Sequence, residues 1–194
     1  MNISAVLLAG GESRRMGQDK ATLVFRGRPL WQTQVDLLRK LNPHEIFISA
    51  RTDPPWLPAD VSFVADAKSS GGPLSGVTSA LMRISTNYLL ALAVDMPLMT
   101  ENYLCSLCQL IEPDRGVVPT IGDRAEPLAA IYPKCAESDF ITALSSADVS
   151  LQSLTKKLVA LNKLSLFGVS KADEKLFRNL NEPGDFVATR SRER

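Results

Sequence analysis

The chain has 194 residues, 45% of them hydrophobic and 22% charged, which is ordinary for a folded globular protein and excludes disordered, collagen-like and coiled-coil chains. Its 22 Lys and Arg residues nearly balance 21 Asp and Glu residues, giving a net charge of +1. This charge excludes a protein that gathers nucleic acid or anionic membrane through its overall electric field. We therefore expect no nucleic-acid or membrane partner, and any anion must be bound locally.

Hydropathy and cysteine usage predict the compartment. The longest strongly apolar run, from Tyr88 to Val94, is far shorter than the roughly 20 residues that a membrane-spanning helix needs. The start of the chain lacks a basic leader and becomes polar at Glu12, which predicts a first strand and not a signal peptide. Three cysteines, an odd number, argue against a disulfide framework. A cytoplasmic location is expected.

In chain order, the first half alternates aliphatic runs typical of buried strands with helical patterns. Strands are predicted at residues 3–8, 45–49, 61–64 and 88–94, and helices around residues 31–41 and 74–84. This alternation predicts an α/β fold with a doubly wound, mainly parallel sheet and helices on both faces. Because such sheets bind ligands beyond the carboxyl ends of their strands, the segments to search are residues 9–20, 50–53, 65–73 and 95–99.

The second half is less regular. Helices are predicted at residues 101–111, 133–144, 151–158 and 182–189, and strands at residues 116–120, 127–132 and 159–167. No linker or internal repeat interrupts the pattern, so we expect one domain over residues 1–190 and a frayed tail at 191–194. Cys105 and Cys108 form a C-x-x-C pair, but the apolar spacing around them predicts core packing. Trp31 and Trp56 are likewise predicted to be packing residues.

The loop after the first strand, from Leu8 to Lys20, is the most informative segment. Adjacent Gly10 and Gly11 let backbone amides approach a ligand, and three cations, Arg14, Arg15 and Lys20, follow within the same loop. The combination favours a polyphosphate ligand. The glycine spacing matches neither the Rossmann fingerprint nor the P-loop.

The loop reads L-A-G-G-x-S-x-R-M-G-x-D-K, which resembles the signature of the GT-A-like nucleotidyltransferases, and among them the molybdenum cofactor guanylyltransferase (MobA-type) family. The resemblance implies a Rossmann-like nucleotidyltransferase fold. It also implies that Leu8, Ala9, Gly10 and Gly11 line the GTP site, with Arg15 and Lys20 on the phosphates.

Two further segments match that family. Asp66 follows a predicted strand, and Gly71 to Gly76 open the next helix in the family's G-P-L-[AS]-G pattern, so Asp66 is implied to lie near the guanine nucleotide. Asp95 directly follows the strand ending at Val94, where a carboxylate can hold Mg²⁺ against phosphates. The resemblance makes Asp95 the magnesium ligand and a catalytic residue together with Arg15 and Lys20.

Weaker matches extend to the end of the chain. Arg124 begins an R-x-x-P-L-x-A-x-Y match, while Asn179 and Asn181 lie in an N-x-N-x-P match, so these three are implied to contact the second substrate. A helix-capping role is an equally physical reading of Asn181. Ser49 ends the second predicted strand where the family often has asparagine, so its contact to the nucleoside is expected to be weak.

The implied reaction is nucleotidyl transfer, with GTP as donor, molybdopterin as acceptor and Mg²⁺ as cofactor. Such chemistry depends on positioning and charge neutralisation, so no protein nucleophile is needed. Cytidylyl transfer, a sugar-1-phosphate or isoprenoid-precursor acceptor, and a non-catalytic GTP-binding adaptor remain alternatives. Proteins that deliver or receive the cofactor are expected as transient partners.

Overall fold

A computed structural model describes residues 2–10, 19–66, 72–146 and 150–180 of the chain. Its strands are β1 (Ile3–Leu8), β2 (Val24–Phe25), β3 (Arg28–Pro29), β4 (Ile46–Ala50), β5 (Ser62–Ala65), β6 (Tyr88–Ala93), β7 (Gly116–Ile121), β8 (Arg124–Ala125), β9 (Ala129–Pro133) and β10 (Leu164–Gly168). Its α-helices are α1 (Leu30–Lys40), α2 (Gly72–Arg83), α3 (Glu101–Cys108), α4 (Glu137–Ser145) and α5 (Leu151–Ala160). Short 3-10 turns cover Lys20–Thr22, Lys134–Ala136 and Glu174–Phe177.

The main sheet has eight strands, seven of them in the order β10-β7-β9-β6-β1-β4-β5, with β8 paired to β7. Strands β6, β1, β4 and β5 pair in parallel, and β10 is parallel to β7. Strand β9 runs antiparallel to both β6 and β7. The mainly parallel sheet predicted from the sequence is therefore confirmed, with β9 as its reversed strand.

Two apolar layers cover the sheet. One cluster includes Val35 of α1 and Leu104 of α3, and the other includes Leu74 of α2, Phe140 of α4 and Leu158 of α5. All five side chains are essentially inaccessible to solvent. Because each helix buries its apolar stripe on one side of the sheet, the chain has helices on both faces, as the pattern predicted.

Several predicted boundaries were wrong for identifiable reasons. The strand predicted at 159–167 begins only at Leu164, because α5 continues to Ala160. Asn162, whose φ of 58° lies in the left-handed region, then terminates the helix. The helix predicted at 101–111 stops at Cys108, because the chain turns at residues 109–110 and Glu112 then pairs with Arg115 in an isolated β-bridge. The strand predicted from Pro127 begins at Ala129, because Pro127 and Leu128 lie in a turn in which the Ala129 amide donates to the carbonyl of Glu126 at 3.3 Å.

Two remaining element predictions concern the ends of helices. The helix predicted at 133–144 starts as a 3-10 turn, Lys134–Ala136, before α4 begins at Glu137. The helix predicted at 182–189 lies outside the described residues. Among the helices of the described residues, none has the length and apolarity to cross a membrane.

Candidate active site

Backbone hydrogen bonds join the carboxyl ends of four strands. The amide of Ala9, just after β1, donates to the carbonyl of Ser49 at 2.9 Å, and the amide of Asp66, just after β5, donates to the carbonyl of Ala50 at 3.1 Å. On the other side, the amide of Val94 donates to the carbonyl of Leu8 at 3.2 Å. The segments that follow β1, β4, β5 and β6 are thereby held at one edge of the sheet, where ligands of this fold class bind.

A cavity of about 110 Å³ opens at this edge. It is lined by Leu8, Gly10, Lys20, Ser49, Asp66, Gly72, Pro73, Gly76, Ala93, Val94, Asp95 and Leu128. Most residues predicted to bind the nucleotide are thus brought together around one space. Ala9 is buried beside this space, and Gly11 and Arg15 lie outside the described residues.

Ser49 and Asp66 form one wall of the cavity. The Ser49 hydroxyl donates to Oδ1 of Asp66 at 2.5 Å, so the serine orients the carboxylate. Two glycines permit this packing: a Cβ on Gly76 would lie 2.3 Å from the Ser49 hydroxyl oxygen, and one on Gly10 would lie 2.7 Å from Oδ2 of Asp66. The sequence predicted Ser49 as a weak nucleoside contact but not its hydrogen bond to Asp66.

Lys20 and Asp95 face each other on the opposite wall. The Lys20 ammonium donates to Oδ2 of Asp95 at 2.5 Å, and the two side chains are only 18% and 15% exposed. Oδ1 of Asp95 is buried, and no described residue hydrogen-bonds to it. A buried carboxylate oxygen without a partner is costly unless a ligand completes it, so this atom marks the place for a cation or a donor.

Asp95 itself is fixed by backbone contacts from distant parts of the chain. The amide of Leu180 donates to the carbonyl of Asp95 at 3.0 Å. The side-chain amide of Gln34, on α1, donates to the carbonyl of Met96 at 2.6 Å. Sequence reasoning missed Gln34 and Leu180, because a polar residue on an apolar helix face and a leucine between two asparagines carry no signal for such contacts.

The position of Lys20 is also built from its surroundings. Asp19 caps the 3-10 turn that carries Lys20, its Oδ1 accepting from the Ala21 amide at 3.0 Å. Its other oxygen, Oδ2, accepts from Nε1 of Trp56 at 3.0 Å. Trp56 stacks on Trp31 with ring centroids 5.1 Å apart. The tryptophans were predicted to be packing residues, but neither their mutual stacking nor the hydrogen bond to Asp19 was foreseen.

The chemistry of the donors at Asp95 fits Mg²⁺. Mg²⁺ keeps several waters and is usually held by one or two carboxylates together with substrate phosphates. The described residues contain no group of three His, Cys, Asp or Glu side chains that could hold a metal alone. A single carboxylate with one unpartnered buried oxygen matches a metal that arrives with a polyphosphate better than a resident structural metal.

The C-x-x-C pair has no part in this site. Cys108 is buried in the core of α3, and burial, with the neighbouring Cys105, raises the pKa of its thiol to about 11. A thiol with so high a pKa stays protonated near neutral pH and is a poor nucleophile. The prediction of core packing agrees with this placement.

The MobA-like NTP transferase domain family matches residues 5–162 of the chain. The chain belongs to this family. It is 34% identical to a probable molybdenum cofactor guanylyltransferase of Opitutus terrae, over 99% of this chain and 95% of the relative. It is 33% identical to the molybdenum cofactor guanylyltransferase of Syntrophotalea carbinolica, over 94% of this chain and 88% of the relative. Membership makes the protein a nucleotidyltransferase, as the sequence resemblance implied.

Solved structures agree on the fold. The molybdopterin-guanine dinucleotide biosynthesis protein A of Archaeoglobus fulgidus is similar with a TM-score of 0.77 and 21% identity, each chain covering 95% of the other. A 4-diphosphocytidyl-2C-methyl-D-erythritol synthase from Anaerococcus prevotii is similar with a TM-score of 0.74 and 12% identity, over 96% of this chain and 93% of that one. Since family members and cytidylyl enzymes share the architecture, the fold alone does not select the acceptor.

Of the residues predicted to contact a second substrate, the two that the structure describes, Arg124 and Asn179, do not line the cavity. Arg124 is exposed on β8, and Asn179 is exposed next to Leu180, whose amide contacts Asp95. Asn181 lies outside the described residues. Between Arg124 and the cavity-lining Leu128 stands Glu126, whose pKa is raised by burial and held back by the charge of Arg124. No motif or spacing in the sequence singles out Glu126.

Proposed function

We propose that this protein transfers GMP from GTP to the terminal phosphate of molybdopterin. An acceptor phosphate oxygen attacks the α-phosphorus of GTP, a new P–O–P bond forms, and the bond to the β-phosphate breaks to release pyrophosphate. The products are the guanine dinucleotide form of the cofactor and pyrophosphate. Family membership supports nucleotidyl transfer, and relatives named molybdenum cofactor guanylyltransferase support this donor and acceptor.

The observation that carries the proposal is the Lys20–Asp95 pair, which shares a cavity with Ser49 and Asp66. One wall offers a cation and a carboxylate for a metal–triphosphate, and the other offers a hydroxyl-oriented carboxylate suited to donors on a nucleoside. A ligand that places a polyphosphate against one wall and a nucleoside against the other is a nucleoside triphosphate.

Each side chain has a definite task in this reaction. Asp95 would hold Mg²⁺, which supplies charge neutralisation for the triphosphate oxygens. Lys20 exchanges its contact with Asp95 for the phosphates and stabilises the negative charge that grows on pyrophosphate as it leaves. Arg15 is proposed to share that task on the strength of the sequence motif. The acceptor phosphate is already ionised, so a general base is not required.

The nucleoside is proposed to lie against Leu8, Ala9 and Gly10 and to approach Ser49 and Asp66. The Ser49 hydroxyl contacts Oδ1 of Asp66, so Oδ2 of the same carboxylate can accept hydrogen bonds from N–H groups of guanine. The Leu-Ala-Gly-Gly sequence at the end of β1 resembles the guanylyl type, whereas Leu-Ala-Ala-Gly resembles the cytidylyl type. We therefore propose guanine as the base.

The acceptor is proposed to enter from the side of β9. Because β9 is reversed, its first residues lie next to the end of β6, where the amide of Ala93 donates to the carbonyl of Leu128 at 2.8 Å. Arg124, Asn179 and Asn181 are the proposed contacts to this second substrate. This arrangement puts donor and acceptor on opposite sides of Asp95.

The deciding experiment measures pyrophosphate release with each of the four nucleoside triphosphates against molybdopterin, a sugar 1-phosphate and methylerythritol phosphate. We expect release with GTP, Mg²⁺ and molybdopterin together and background rates in every other combination. Pyrophosphate release with CTP and molybdopterin would show that the donor base is cytosine and not guanine. Release only with another acceptor would overturn the proposal, and tight GTP binding without turnover on any acceptor would favour a binding protein.

A further inference from the structure

We infer that Asp19 and Trp56 are positioning residues that set the place of Lys20 for contact with the triphosphate. The inference rests on the proposed function, because it assigns to Lys20 the phosphate contact of that reaction. Neither residue lines the cavity that we assign to the nucleotide. Their effect on the nucleotide must therefore pass through the short turn that carries Lys20.

The carboxylate of Asp19 is fully engaged on both oxygens. Oδ1 accepts from the Ala21 amide and Oδ2 accepts from Nε1 of Trp56, both at 3.0 Å. The backbone carbonyl of Asp19 also accepts from the Thr22 amide at 3.0 Å and the Thr22 hydroxyl at 2.8 Å. With both oxygens committed in different directions, the carboxylate plane is fixed, and the backbone of the turn is fixed with it.

Trp56 is itself held by α1. Its ring stacks on Trp31, in the first turn of α1, with an interplanar angle of 15°. Four residues further on, Asp60 accepts two hydrogen bonds from Arg39 of α1, at 3.0 Å from Nε and 2.6 Å from Nη2. The segment between β4 and β5 is therefore attached to α1 at two points, Trp56 and Asp60, and the indole N–H of Trp56 donates to Asp19.

This attachment matters because lysine is a flexible side chain that carries a point charge. The ammonium of Lys20 meets Asp95 in a site where its side chain is only 18% exposed, so a small shift of the turn moves the charge away from its target. Misplacement of a catalytic group by about 1 Å can cost about a hundredfold in rate. The Asp19–Trp56 hydrogen bond is solvent-exposed and adds little to stability, so its loss is felt mainly at Lys20.

The test is a double-mutant cycle between Trp56→Phe and Lys20→Met. Phenylalanine keeps an aromatic ring against Trp31 and removes the N–H donor together with part of the stacked area. We measure the Kd of Mg²⁺–GTP by calorimetry without acceptor, and kcat/KM for GTP with molybdopterin. In the wild-type background, W56F should lower kcat/KM and the affinity for Mg²⁺–GTP by about tenfold. In the K20M background, W56F should change neither quantity.

A second variant and a control complete the design. Asp19→Asn keeps an oxygen that can cap Ala21 but replaces the other acceptor by an amide, so it should reproduce the coupling even where W56F does not fold. Tyr88→Phe also removes one aromatic donor, the Tyr88 hydroxyl that donates to the Glu112 carbonyl at 2.6 Å, but at the opposite end of β6. It should leave Mg²⁺–GTP binding unchanged.

Equal losses in the wild-type and K20M backgrounds would show a merely structural role and overturn the inference, as would unchanged binding in both W56F and D19N. A wild-type protein that binds Mg²⁺–GTP but does not modify molybdopterin overturns the proposed acceptor, while the binding cycle still tests the positioning role. A wild-type protein that does not bind Mg²⁺–GTP overturns both proposals.

Discussion

Two aspartates with nearly equal burial are paired in opposite ways. The side chain of Asp139, on α4, is 12% exposed, and that of Asp95 is 15% exposed. Asp139 receives a lysine on each oxygen: Lys157 lies 3.1 Å from Oδ1 and Lys163 lies 2.6 Å from Oδ2. Asp95 receives Lys20 on Oδ2 alone, and no described residue hydrogen-bonds to its Oδ1.

The difference separates a structural carboxylate from a functional one. Asp139 joins α4 to α5 and to the residue before β10, and its charge is fully matched by side chains of the fold. Asp95 lies just beyond the end of the central strand β6, and only one of its two carboxylate oxygens has a partner among the described residues. A half-satisfied buried group persists when a ligand completes it, which is why incomplete pairing is informative about function. The variants below test this division.

The largest effect is expected for Asp95→Asn. Removing the carboxylate charge removes the proposed metal site, so GTP-dependent pyrophosphate release should fall by at least about a hundredfold. The melting temperature should change less than in Asp139→Asn, because only one of the two oxygens of Asp95 has a partner in the described structure. Full turnover in this variant would refute the metal assignment.

Asp139→Asn should show the reverse pattern. It leaves two lysines without their shared counter-charge, and hydrogen bonds to charged groups are worth about 1.5–3 kcal/mol. We expect the free energy of unfolding to fall by about that amount at neutral pH, while pyrophosphate release per folded molecule stays close to wild type. Chemical denaturation and the same release assay measure both. An inactive but fully stable variant would contradict the comparison.

The contribution of Asp139 should depend on pH. Burial opposes its ionisation, but hydrogen bonds from Lys163 and Lys157 outweigh burial and lower the pKa of Asp139 below its usual 3.8. A carboxylate with a lowered folded-state pKa stabilises fully above the unfolded value and loses this contribution as the pH falls through the folded value. The stability gap between wild type and D139N should therefore be constant near neutral pH and close below 3.8. A gap that widens in acid would reverse the sign.

The smallest effect is expected for Lys157→Met. Lys157 is 51% exposed, and Asp139 retains Lys163 when it is removed. Exposed ion pairs contribute below about 1 kcal/mol, so the loss in unfolding free energy should be smaller than in D139N. Parallel denaturation curves of the two variants test this order. A loss as large as in D139N would show that the two lysines act as one unit.

The strands and helices that the sequence identified best were those with regular apolar periodicity. The parallel strands β1, β4, β5 and β6 follow from their aliphatic runs, and α1 and α2 follow from their apolar faces. The boundary errors at 101–111 and 159–167 have a common cause. Leu110 continues the apolar pattern of α3 beyond the end of that helix, and Val159 begins a strand-like apolar run while still inside α5, so apolar composition alone does not locate either boundary.

The site divides in the same way. Lys20, Ser49, Asp66 and Asp95 could be predicted because each lies at or beyond the carboxyl end of a predicted strand, and the cavity brings them together. The contacts that hold them could not be predicted. Trp56 lies 37 positions from its partner Asp19, and Lys20 lies 75 positions from Asp95, distances at which no local pattern reports a contact. Such pairings appear only once the sheet order is known.

The reversal of β9 has a consequence for the order of folding. Because β7 and β9 are antiparallel and close in sequence, with Val117 opposite Ile131, their pairing closes only a short loop. The parallel pair of β1 and β6 joins Ile3 to Tyr88 and closes a far longer loop. We expect the pair of β7 and β9 to form before the parallel strands that carry the proposed GTP site. Nucleotide binding then requires that the slower, long-range part of the sheet is complete.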